Sequence, residues 1–90
     1  MNTEKILYAL DLAYKTAEFF YFKKHDITNA LVTAHNAMSL YEKYEEALMS
    51  IPEAKTIYRE VLNFLAQLYL KVHDTEGFLS IINKLSNSEP

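Results

Sequence analysis

The sequence predicts an all-α fold, with four antiparallel helices arranged as two packed helical hairpins. Three observations predict it. Apolar residues recur at spacings of three and four along most of the chain, the period of a helix with one buried face. One Gly and two Pro in 90 residues leave too little turn chemistry for a β-protein. Asn2, Asp26, Ser50 and Asp74 suit helix N-caps and stand where the periodic segments begin.

The first helix is expected over residues 4–24. Asn2 or Thr3 can cap it, and Glu4 favours the positive end of its dipole. Ile6, Leu10, Ala13, Ala17, Phe20 and Tyr21 form its apolar stripe. Asp26 caps the second helix, expected over residues 27–49. Ile27, Leu31, Ala34, Met38, Tyr41 and Leu48 share a face there, and Ala30, Ala37 and Ala47 beside it allow a neighbour to approach closely. Ser50 and Glu53 have the spacing of a capping box, with Pro52 tolerated in the first turn. The third helix is expected to run to residue 72, with Ile57, Val61, Phe64, Leu65, Leu68 and Val72 inward, widened by Leu62, Ala66 and Tyr69. This is the most apolar segment and is expected to be the most buried. Asp74 caps a short fourth helix over residues 75–85 with Phe78, Leu79, Ile82 and Leu85 inward. Residues 1–85 make a single domain, and residues 86–90 are expected to be a frayed polar tail.

The totals narrow the function. A chain this short buries only roughly 60–65% of its unfolded surface, so its core must be efficient or shared with a partner. There is no Cys, which excludes disulfides and thiolate metal sites. No apolar run approaches the roughly 18 residues of a membrane span, and Asp11 interrupts the first apolar stretch. A cytoplasmic location without membrane contact is the expectation. The net charge of −3 disfavours nucleic acid as a partner, since phosphate binding wants a basic surface.

The chain also repeats itself. "YFKKHDITNALVTAHNAMS" from Tyr21 aligns without gaps to "YLKVHDTEGFLSIINKLSN" from Tyr69, an offset of 48 residues, and Tyr, Lys, His, Asp and Leu are identical at five of the 19 positions. Leu62, Leu65, Ala66 and Tyr69, then Phe78, Ile82 and Pro90, have the spacing of a tetratricopeptide repeat, and the second copy resembles that family. Tyr21, Ala30, Ala34 and Ala37 carry the resemblance in the first copy. Glu18 stands where a small residue is expected, Phe78 stands where the family prefers Ala, and the offset exceeds the family's roughly 34 residues. A plain four-helix bundle with two similar hairpins fits the same pattern.

The resemblance implies function by surface. Members of the family bind peptides or helices in a groove lined by the first helix of each repeat. Carried over, the groove would be lined by Leu12, Lys15, Phe19, Phe22 and Lys23, and by Glu60, Asn63, Gln67, Leu70 and Lys71. Phe19 is not required by the core pattern, because its repeat counterpart is the polar Gln67. The expected partner is therefore another protein or peptide, or a second copy in a homodimer, contacted through Phe19 and Phe22 with Tyr8 near.

Chemistry finds less support. His25 and His73 are repeat counterparts, each before a capping Asp; a metal or acid–base pair is one reading, and contact with the last helix carbonyls is the plainer one. His35 has no orienting acid beside Ser39. Glu42, Glu45 and Glu46 read as a solvated face that could meet a basic partner. No Glu-x-x-His motif and no Gly-rich phosphate loop is present. Neither an enzyme nor a cofactor is expected. Lys23 and Lys24 beside aromatics support a small DNA-associated regulator as an alternative, and a homodimeric scaffold is a further one.

Overall fold

A computed structural model describes residues 2–87 and contains five helices: α1 (Thr3–Phe22), α2 (Ile27–Lys43), α3 (Glu45–Leu48), α4 (Pro52–Lys71) and α5 (Thr75–Asn87). No strand occurs among the described residues. α1 packs against α2 and α4, α2 packs against α4, and α5 packs against α4. The single-turn α3 rests on α1 and α2.

The first two N-caps act as expected. The Asn2 side chain accepts from the Glu4 N–H at 2.8 Å. The Asp26 side chain accepts from the Asn29 N–H at 3.0 Å. At the start of α5, Asp74 accepts from the Gly77 N–H at 2.9 Å, the same three-residue reach.

The second predicted helix is two helices. Tyr44 leaves helical geometry at φ −113°, ψ 27°, and its N–H is shared between the carbonyls of Leu40 and Tyr41. The following turn folds back and seats Leu48 in the core with no exposed surface. Glu45, Glu46 and Ala47 stay outside. The count of four helices is therefore corrected to five. Neither Gly nor Pro marks the break.

The capping box at Ser50 does not form. Pro52 takes the first helical position, and a residue before proline is driven to extended backbone. Ile51 is accordingly extended at φ −104°, ψ 108° and becomes the N-cap, with no side-chain cap. Ser50 lies one residue too early.

The core is centred on α4. Ala54, Tyr58, Val61, Leu62, Phe64, Leu65, Ala66 and Leu68 are buried there, as the apolar width of that segment predicted. α1 contributes Ile6, Leu10 and Ala17, and α2 contributes Ala30, Ala34, Ala37, Met38 and Tyr41. Fully burying a Leu of this kind is worth about 1.5–3 kcal/mol. Val72 is exposed at the C-cap of α4, outside the stripe assigned to it.

α5 differs most from expectation. Its buried residue is Ile81, flanked by the half-buried Phe78 and Leu85, while Leu79 and Ile82 face solvent. The inward stripe is thus 78, 81 and 85, rotated from the predicted 78, 79, 82 and 85. Ser86 and Asn87, assigned to the frayed tail, continue the helix. Ser88, Glu89 and Pro90 lie outside the described residues, so the tail's last three positions and the Pro90 match have no structural counterpart here.

Candidate functional site

α1 has two apolar faces. One holds Ile6, Leu10 and Ala17 against the core. The other carries Tyr8, Leu12, Phe19 and Phe22, which are 69%, 51%, 48% and 59% exposed. At about 100° per residue this second stripe lies nearly opposite the first. Its spacing is four, seven with Lys15 between, and three, the alternation of a coiled-coil seam. A surface helix needs only one apolar face, so Tyr8, Leu12 and Phe19 of the outer stripe are surplus to the core, while Phe22 also reaches the buried Phe64.

The aromatic run at the end of α1 splits between the two faces. Tyr21 is half-buried, and its ring meets Phe64 of α4 edge-on at 5.8 Å between centroids. Tyr14 does the same at 6.0 Å. Phe22 rests on Tyr21 at 4.9 Å and reaches Phe64 at 6.4 Å, so its inner edge is supported while its outer edge is open. Phe20 packs on the core and supports Phe19 edge-on at 6.2 Å. The Lys24 ammonium lies 5.8 Å from the Phe19 ring centroid. Phe19 and Phe22 are thus held in place from beneath, and pre-positioned aromatics lose less freedom on binding.

The other residues assigned to the groove are exposed as well: Lys15, Lys23, Asn63, Gln67, Leu70 and Lys71. Lys15 is engaged, donating to Asp11 at 2.9 Å one turn earlier. Phe64 sits between Asn63 and the turn carrying Gln67, and its contacts with Tyr14, Tyr21 and Phe22 join α1 to α4. Burial, then the charges of Glu18 and Glu60, push the Tyr14 hydroxyl up to about 12.

A groove of about 620 Å³ opens between the N-terminal halves of α1 and α4. Leu7, Tyr8 and Ile57 give it an apolar floor, and Glu4, Asp11 and Glu53 line it with carboxylates. The groove was missed in the sequence because it joins two helices that are not consecutive. The recurrence of acids at 4, 11 and 18, every seventh residue beside the outer stripe, was the available signal.

The acidic run reads differently in space. Glu42 is not part of a solvated face. Its carboxylate accepts from the Tyr58 hydroxyl at 2.6 Å and from the Lys84 ammonium at 2.8 Å, tying α2 to α4 and α5. Tyr58 also stacks on Tyr41 at 4.1 Å between centroids. Burial alone would raise the Glu42 carboxyl, but the bonds from Lys84 and Tyr58 outweigh it and hold the group below its ordinary value. Burial and the Glu42 carboxylate drive the Tyr58 hydroxyl far upward. This is an interhelical clamp.

His25 and His73 have a shared backbone role. Both adopt left-handed geometry, at φ 52° and φ 59°. At both turns the next residue's N–H reaches back into the helix, from Asp26 to the Phe20 carbonyl at 2.9 Å and from Asp74 to the Tyr69 carbonyl at 2.9 Å. These are helix-ending turns of the kind usually made with Gly, and His is one of the residues that tolerates φ > 0. The backbone bonds therefore finish the helix ends. Among the described residues no group of three His, Cys, Asp or Glu side chains is placed to hold a metal ion. No helix among them is long and apolar enough to cross a membrane. No family model, curated protein or solved structure matches the chain.

Proposed function

We propose that the protein is a protein–protein interaction module, an adaptor or chaperone-like binder that also self-associates, and that the outer stripe of α1 is its contact surface. The observation that carries the reading is the exposure of Phe19 and Phe22 on a helix whose core needs are already met by its opposite face. Leu12 and Tyr8 extend the stripe. Lys15, Lys23, Asn63, Gln67 and Lys71 are exposed polar residues assigned to the same surface, and Leu70 is a further exposed apolar one. Contiguous apolar surface rimmed by polar residues marks interaction sites, and aromatic residues dominate binding energy in such surfaces.

In this reading α1–α2 and α4–α5 are antiparallel hairpins in a tetratricopeptide-like arrangement. The matching left-handed His and capping Asp at both hairpin turns support it. Function then rests on surface complementarity, without an enzymatic step or a cofactor, in the cytoplasm. The net charge of −3 weighs against a nucleic-acid partner.

The test is capture of partners from the source cell with the native chain and with Phe19→Glu/Phe22→Glu as bait. Equal helicity by circular dichroism with loss of capture is the expected result. Unchanged capture would remove the α1 stripe as the contact surface.

A further inference from the structure

The groove between α1 and α4 is acidic on both walls. Glu4 and Asp11 line it from α1, and Glu53 lines it from α4. Both helices repeat the acid two turns on. Glu18 follows Asp11 by seven residues and Glu60 follows Glu53 by seven, so each pair shares a helix face at a separation of about 10.5 Å. Tyr14 lies between the two helices at that level, with its ring edge-on to Phe64 of α4. The charges of Glu18 and Glu60 both act on its hydroxyl, so the acidic walls continue beyond Asp11 and Glu53.

Little within the molecule answers these charges. Lys15 holds Asp11 at 2.9 Å. Among the described residues no cation is paired with Glu4, Glu18, Glu53 or Glu60. Helix dipoles account for Glu4 and Glu53, which stand in first turns. They do not account for Asp11, Glu18 or Glu60, which lie deeper in their helices. Between the walls the floor is apolar, with the half-buried Leu7 and Ile57 at one end and Phe64 at the other.

We infer that this groove holds an amphipathic helix of a partner protein, its apolar a and d positions on the floor and Lys or Arg at its e and g positions against the two walls. Acids at every seventh residue call for cations at the same period, and a heptad helix carries them on both sides of one apolar stripe. Glu4 to Glu18 is 14 residues, or about 21 Å, so three heptads reach past both ends. A second copy of the chain is a poor occupant. Its α1 has acids along one flank, α2 and α5 each carry one lysine, and the apolar face of α4 is buried. The inference rests on the reading of a protein-binding module and adds a site on the flank of α1 that faces α4, beside the stripe of Leu12 and Phe19.

The probe is a labelled synthetic peptide of three heptads with Leu at a and d and Lys at e and g, and fluorescence anisotropy reads its binding to the native chain. One control peptide has Glu at e and g. The other keeps the composition of the Lys peptide and scrambles its order. The Lys peptide should bind, less tightly as salt rises, and neither control should come within about tenfold of its affinity. Glu18→Lys/Glu60→Lys should weaken binding at least about tenfold. Glu45→Lys/Glu46→Lys makes the same change of charge on the exposed side of α3 and should stay within about threefold of the native chain. Should the reversed groove melt below the native chain, Glu18→Gln/Glu60→Gln replaces it, with an expected loss of at least about fivefold.

A Lys peptide that does not bind overturns the inference. So does a scrambled peptide that binds equally well, or an affinity that falls as far with the α3 reversal as with the groove reversal. Failure of the peptide while partner capture still depends on Phe19 and Phe22 removes the groove and leaves the outer-stripe reading standing. Peptide binding through Glu18 and Glu60 with capture indifferent to Phe19 and Phe22 removes the stripe and keeps the groove.

Discussion

Replacing the left-handed histidines with glycine should stabilise the protein. An L-residue in the left-handed region costs roughly 1–2 kcal/mol relative to its right-handed conformation. Glycine removes that cost but loses about 0.5–1 kcal/mol more backbone entropy on folding. The difference is about 0.5–1 kcal/mol in favour of His25→Gly, and the same for His73→Gly, since φ is 52° and 59° at the two sites. For a domain of this size, 1 kcal/mol moves the melting temperature by roughly 4–8 °C. Each substitution should raise it by about 2–8 °C, and the pair should be close to additive because the residues belong to different turns. Thermal melting followed by circular dichroism measures this, with His25→Val as the opposite control, since a β-branched residue is poorly tolerated at positive φ. A lower melting temperature in both glycine variants would refute the reasoning. It would mean that the imidazoles contribute more to the turns than their backbone geometry costs.

The remaining predictions concern the clamp, the tyrosines and the single glycine. Tyr58→Phe should cost about 1.5 kcal/mol, the low end for a bond to a charged group because the Glu42 side chain is 34% exposed; a double-mutant cycle with Glu42→Gln in urea should show coupling. Since the Glu42 carboxyl is held below its ordinary 4.5, its contribution is present above that pH and disappears as pH falls through the depressed value, so Glu42→Gln should lose less stability between pH 7 and pH 3 than the native chain. Tyr14 and Tyr58 are raised, so the folded state keeps their protons longer and stability should fall as pH climbs above 10; Tyr14→Phe and Tyr58→Phe should each remove phenolate absorbance that develops only well above pH 10, and loss of absorbance developing below pH 10 would contradict the burial assigned to them. A Cβ at Gly77 would come within 2.6 Å of the Tyr69 ring, so Gly77→Ala should destabilise by about 1 kcal/mol despite the better helix propensity of Ala, and a higher melting temperature would show that the ring yields freely.

How much could be read in advance depended on where the information lay. The helices and α4's dominance are local or periodic properties, and the 3–4 spacing reported them directly. The Tyr44 break is not local. Its cause is the need to seat Leu48 and redirect the chain into α4, and the residues around it are all compatible with continuous helix. The Ser50 capping box misled because two local rules competed, and the proline fixed the N-cap one residue later. Helix α5 was rotated because Leu79 and Ile82 are as apolar as Ile81, so composition could not choose among them. Within the candidate site, Phe19 and Phe22 were legible as aromatics surplus to the core stripe. The carboxylate-lined groove required knowing that the starts of α1 and α4 lie side by side. Glu42 looked solvated because its partners, Tyr58 and Lys84, are 16 and 42 residues away.

The central place of α4 has a consequence for how the molecule comes apart. A tandem array of repeats can open one unit at a time, because each repeat touches only its neighbours. Here α1, α2 and α5 all lean on one helix, which also holds the largest share of buried side chains. Opening α4 uncovers both halves at once. Although a left-handed His precedes a capping Asp at two of its turns, the chain should melt in a single cooperative transition. Its slowest-exchanging amides should lie in the middle of α4 around Leu62 and Leu65, while the short turn around Leu48 should exchange early.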